Sequence, residues 1–99
     1  MICVENHIPV KKEFAVEFEG RFKAGTKHVQ DSPGFVRNEV LRPIKGGTYI
    51  VRTYWDSMES FERWTKSSAF RQAHSDAARP EMFDGESFLT IHEVFAQTP

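Results

Sequence analysis

Three side chains in this sequence have the chemistry to hold or attack a ligand: the carboxamide of Asn6, the indole of Trp64 and the imidazole of His74. Ile2, Val4, Asn6, Ile8 and Val10 alternate with Cys3, Glu5, His7 and Pro9, so a period of two places Asn6 on the apolar face of a first strand. An amide there finds hydrogen-bond partners or costs roughly 1–3 kcal/mol. Most buried amides simply tie down a neighbouring backbone group; the alternative is that Asn6 aims at a ligand held against the sheet. Trp64 alone reads first as core, since a large aromatic mainly supplies buried area. His74 alone reads as a helix-end residue, although imidazole is also the commonest metal ligand among side chains. On one straight helix Trp64 and His74 would lie about 15 Å apart along the axis and be rotated by roughly 80°. To serve one ligand they require a break near Ser67-Ser68, or a ligand that is wide and planar.

The elements that must position these groups follow from periodicity. After the first strand, Phe14, Phe18 and Phe22 recur every fourth residue, with Ala15 and Val29 extending the stripe and Glu17, Glu19, Arg21 and Lys23 mostly outside it, which predicts a helix. Ser32-Pro33-Gly34 closes that unit as a turn. The runs Phe35 to Leu41 and Tyr49 to Trp55 predict two antiparallel strands joined through Gly46-Gly47. Asp56 followed by Glu59 has capping-box spacing for a second helix carrying Phe61 and Trp64 on one face. Pro80 and Gly85 bracket a loop, and Phe88 to Phe95 alternates as a last strand.

The resulting βαββαβ order predicts an α+β, ferredoxin-like domain spanning residues 1–99, with an antiparallel sheet and helices on one face. The second and third strands carry apolar residues on both faces, Ile50 and Val51 in succession, so a second subunit is expected to pack sheet against sheet. A 99-residue chain also gains from the extra burial.

Composition narrows the function classes. With 13 Lys+Arg against 14 Asp+Glu and no basic run, a nucleic-acid surface is not expected. A single cysteine, Cys3, excludes an intrachain disulfide and a thiolate metal site and fits a reducing compartment. No signal-peptide pattern and no apolar run of about 18 residues occurs, so a cytoplasmic protein without a membrane span is expected. His7 faces away from Asn6, His28 ends the first helix and His92 sits beside Glu93; none shows zinc-site spacing. No nucleophile elbow is present, and no glycine-rich turn for a flavin or nicotinamide.

The stretch from Phe61 through Trp64 and Ser67-Ser68 to Phe70 and His74 resembles the helix and haem-ligand segment of the IsdG-type haem-degrading monooxygenases, within the antibiotic-biosynthesis-monooxygenase (ABM) superfamily of dimeric α+β barrels. Ser32-Pro33-Gly34-Phe35 with Leu41-Arg42-Pro43, and Thr53-Tyr54-Trp55-Asp56-Ser57, resemble that family's strand regions. The resemblance covers nearly the whole chain. It implies His74 as axial ligand of the haem iron, Asn6 as hydrogen-bond donor on the opposite face, and Trp64 as the wall that presses on the tetrapyrrole plane and favours its ruffling. Haem is then both substrate and oxygen-activating cofactor, opened by O₂ with release of iron. External electrons come from a separate reductase or a small reductant. Two other readings stay open: a cofactor-independent ABM-type monooxygenase acting on a polycyclic aromatic substrate, and a non-catalytic haem-binding or shuttling protein. Arg79, the loop cation nearest in sequence, reads first as solvated and second as a propionate contact.

Overall fold

The computed structural model describes residues 1–23, 29–75 and 80–99, with the side chains of Lys23 and of residues 72–75 outside the description. The four strands, β1 (Ile2–Ile8), β2 (Phe35–Leu41), β3 (Tyr49–Trp55) and β4 (Phe88–Glu93), form one sheet in the order β2-β3-β1-β4, with every neighbouring pair antiparallel. Helices α1 (Ala15–Lys23), α2 (Met58–Thr65) and α3 (Ser68–Ser75) complete the α+β, ferredoxin-like arrangement. The expected second helix is thus two helices, broken at the Ser67-Ser68 dipeptide.

The alternation of β1 divides the sheet into two faces. Val4 and Ile8 belong to the core under the helices, so Ile2 and Asn6 share that side, and Cys3, Glu5 and His7 take the other. Two apolar clusters sit on the helix side rather than one. The first joins Val4, Val29, Trp55 and Phe61, with Phe35, Met58 and Trp64 packed against it. The second joins Ile8, Phe18, Tyr49 and Met82, with Phe14, Phe22 and Val51 around it. Val29 therefore does not extend the Phe14–Phe18–Phe22 stripe as expected: it lies in the short 3₁₀ turn Val29–Asp31 and joins the other cluster.

Two local details differ from the sequence reading. The cap of α2 is Ser57, whose Oγ accepts the Ser60 N–H at 3.2 Å, while Asp56 Oδ1 accepts the Ser60 hydroxyl at 2.6 Å. Either residue type can cap; here the Ser57 hydroxyl is the one that accepts the helical N–H. In β2 the register slips between Phe35 and Arg37, a bulge that makes Val36 the extra residue. Beyond it Asn38 faces Thr53 and Val40 faces Val51 on the helix side.

The other sheet face is less apolar than the alternation promised. Arg52 Nη2 lies 2.6 Å from Glu5 Oε2, its Nη1 lies 3.6 Å from Glu39 Oε1, and the Arg37 guanidinium sits 4.3 Å over the Tyr54 ring. His7 stacks on Phe88 at 4.5 Å, and its Nε2 is 3.2 Å from the Thr90 hydroxyl oxygen.

Candidate functional site

Asn6 sits in the middle of the sheet, opposite Val51 on β3 and Leu89 on β4. It is half-buried, and its carboxamide makes no hydrogen bond to any described residue. Among the described residues, the amide ties down no backbone group, which was the bland expectation. It stands between the two apolar clusters, and the helix-facing residues beside it, Val40, Leu89 and Ile91, are exposed at 36%, 52% and 40%. The sheet around Asn6, between the clusters, is therefore a largely apolar floor into which this amide is set.

Trp64 forms a wall at one end of this floor. Its ring packs 5.6 Å from Trp55 at 34° and 6.5 Å from Phe61, and Phe70 meets it edge-on at 4.8 Å and 89°. Three aromatic partners on two helices and a strand fix the plane of the indole, yet the residue stays half-buried. Core packing and a partly exposed ring are thus both true of it.

The junction that carries Trp64 into α3 turns on one hydroxyl. Ser67 Oγ donates to the Trp64 carbonyl at 2.6 Å and accepts the Phe70 N–H at 3.1 Å, closing α2 and capping α3 with the same atom. The backbone of His74 falls in the last turn of α3. Its side chain lies outside the described residues, as do all of His28 and all of Arg79. The break required to bring an indole and an imidazole ten positions apart toward one ligand is present.

Two further devices hold the walls. On α1, Glu19 accepts from the Tyr49 hydroxyl and, at 2.7 Å, from Arg42 Nε, which pins the helix over β3 and raises the Tyr49 phenol above its ordinary pKa. Glu19 is therefore not the freely solvated carboxylate of the helical pattern. At the start of β2, Gly34 adopts φ +86°, and a Cβ there would overlap Ser60 and stand 2.5 Å from Asp56 Oδ1. Only glycine lets the strand approach the first turn of α2 this closely. The Asp56 carboxyl is held below its usual range, chiefly by the hydrogen bond from Ser60.

The sequence reading missed Asn38, a second amide on the helix-facing side of the sheet. Strict alternation from Phe35 puts it on the opposite face, and only the bulge at Val36 reverses that. Among the described residues no group of three or more His, Cys, Asp or Glu could hold a metal ion, and no helix is long and apolar enough to cross a membrane.

The sequence pattern of the antibiotic biosynthesis monooxygenase family matches residues 1–76. A curated relative from Staphylococcus haemolyticus, a heme oxygenase (staphylobilin-producing), is 39% identical over 79 residues, which cover 77% of this chain and 75% of the relative. A heme oxygenase (mycobilin-producing) from Mycobacterium tuberculosis is 36% identical over 90 residues, covering 90% of this chain and 85% of its own. The solved structure of the Mycobacterium tuberculosis heme degrader MhuD, with two hemes bound in its active site, superposes with a TM-score of 0.84 at 32% identity and full coverage of both chains. A protein from Bacillus cereus described as a putative monooxygenase of the same family shares the fold at 19% identity with a TM-score of 0.76.

Proposed function

Since the chain belongs to the antibiotic biosynthesis monooxygenase family and, by its 36–39% identical relatives, to the haem-degrading members of it, we propose that the floor between its two apolar clusters is where haem is bound and opened. The observation that carries this reading is Asn6: an amide with no partner among the described residues, standing between two apolar clusters. A flat apolar macrocycle with a polar centre fits such a floor. Haem supplies the iron and oxygen chemistry and is itself the molecule consumed, with electrons from an external reductase or small reductant.

The chain's own residues then have separate tasks. His74, at the end of α3, would hold the haem iron through its imidazole. The Asn6 N–H would donate to an oxygen group brought against it and so orient it, in a low-dielectric site where one hydrogen bond counts for more than in water. Trp64, held in plane by Trp55, Phe61 and Phe70, presses on the macrocycle and excludes water from its edge. The enzyme is read as a single domain over 1–99, supported by the pairing of β4 with β1 along their length. It is read as a homodimer joined through the outer sheet face, and as cytoplasmic, in keeping with its lone reduced cysteine.

The test is absorption spectroscopy in air after one equivalent of hemin is added, followed by ascorbate with catalase present. The expected result is a sharp Soret band that decays to a bilin-like spectrum as iron becomes chelatable. A Soret band that persists under several reductants would make the protein a haem carrier, and absence of a specific band would remove haem from the cleft altogether.

A further inference from the structure

Asn38 and Thr53 face each other across β2 and β3 on the helix-facing side of the sheet, their Cβ atoms about 5 Å apart as directly paired residues are. Asn38 Oδ1 is buried and receives no hydrogen bond from any described residue. Thr53 Oγ1 accepts the Trp55 indole N–H at 3.0 Å, and no described group accepts its own proton. An acceptor lacking a donor thus stands beside a donor lacking an acceptor. Their complement is a group that accepts and donates at one atom, which an O–H does and a hydrocarbon edge does not.

We propose that Thr53 and Asn38 form a hydroxyl-binding subsite on the floor of the cleft, in which a bound O–H oxygen accepts from Thr53 and donates to Asn38. Turning the Asn38 amide by 180° leaves the pairing intact, because the same oxygen has a second lone pair for an N–H. Thr53 is the diagonal neighbour of Asn6 through the Asn6–Val51 pair, about 7–8 Å away. The subsite and Asn6 therefore lie under a single ligand of tetrapyrrole width, and the Trp55 bond ties the subsite to the ring on which Trp64 packs. The ligand side of this inference rests on the haem reading; the pairing of the two polar atoms does not. The bound oxygen has two sources, an ordered water or a hydroxyl carried by the ligand.

Crystal structures of the ligand-free protein and of its complex with manganese protoporphyrin, for the wild type, Thr53→Val and Asn38→Leu, test the subsite without turnover. Spectroscopic titration with hemin and with iron haematoporphyrin, whose vinyl groups are replaced by hydroxyethyl groups, separates the sources. The expected result is an oxygen within hydrogen-bond distance of Asn38 and Thr53 in the free wild type and its loss in both variants. Iron haematoporphyrin bound about tenfold tighter than hemin, with the preference erased in Asn38→Leu, assigns the subsite to a ligand hydroxyl. Equal affinities with the bridging oxygen retained in the complex assign it to water. An Asn38 amide bonded to another protein group, with no oxygen between it and Thr53 in any structure, overturns the proposal. Should Asn38→Leu fail to fold, the isosteric Thr53→Val reads the same loss. Failure of both porphyrins to bind would sink the haem reading, while the free structure would still decide the subsite.

Discussion

A donor that the protein itself leaves unused is worth most where charge builds on a ligand. Asn6 is such a donor among the described residues, so Asn6→Ala is expected to slow haem turnover by about a hundredfold, the scale of losing one preorganised hydrogen bond, while hemin affinity stays within about threefold. Stopped-flow spectra under ascorbate check the first number and equilibrium titration the second; parallel losses in both would make Asn6 a binding residue instead. His74→Ala is expected to abolish the imidazole-ligated ferric spectrum, and an unchanged Soret band would remove the ligand assignment. The face that Asn6 takes was legible in the sequence because the pairing of β1 runs without a register shift from Ile2 to Ile8. Asn38 was not, because one extra residue at Val36 inverts the faces of everything after it, and nothing in the composition of Phe35 to Leu41 announces a bulge.

Among the elements, the α2–α3 junction and the β2–α2 contact set where the walls stand. Removing the shared hydroxyl with Ser67→Ala costs α3 its cap, about 1 kcal/mol, and frees Trp64 and His74 to move independently. The expected readout is a lower unfolding midpoint together with a broadened Soret band; a shifted midpoint with an unaltered band would make the junction purely structural. Gly34→Ala meets both a left-handed backbone and the overlap with Ser60, so a loss of about 1–3 kcal/mol in urea unfolding is expected. Asp56 binds its proton less readily in the folded state than in the unfolded one, so its contribution is in place above its ordinary pKa and fades as pH falls through the depressed folded value. Asp56→Asn is therefore expected to flatten the acid limb of a stability–pH profile below about pH 4. From the sequence, the break near Ser67-Ser68 was one of two ways for Trp64 and His74 to serve one ligand, the other being a wide planar ligand, and the structure has the break. The cap was displaced by one position because Asp56 and Ser57 are both capping types, and only backbone geometry chooses between them.

For the molecule as a whole, the outer sheet face carries the Glu5–Arg52–Glu39 group amid Ile50, Tyr54 and Phe88, a mixed surface suited to a self-complementary partner. Sedimentation at micromolar concentration is expected to give a dimer, and Arg52→Glu, which sets three carboxylates together, to give a monomer. Burial and the neighbouring Glu5 push the Cys3 thiol above its ordinary pKa, so thiol reagents are expected to react slowly with the native protein and fully after denaturation. The helix side has the opposite character, because its apolar interior is divided into two clusters with floor left between them. A bound macrocycle would act as the missing middle of that interior, and saturation at a hundred times Kd would add about 2.7 kcal/mol, or roughly 10 °C of melting temperature in a chain this short. An enzyme built this way dismantles its own buttress with every turnover. Its rigidity would track its fuel, high while substrate lasts and falling back as each molecule is opened and leaves.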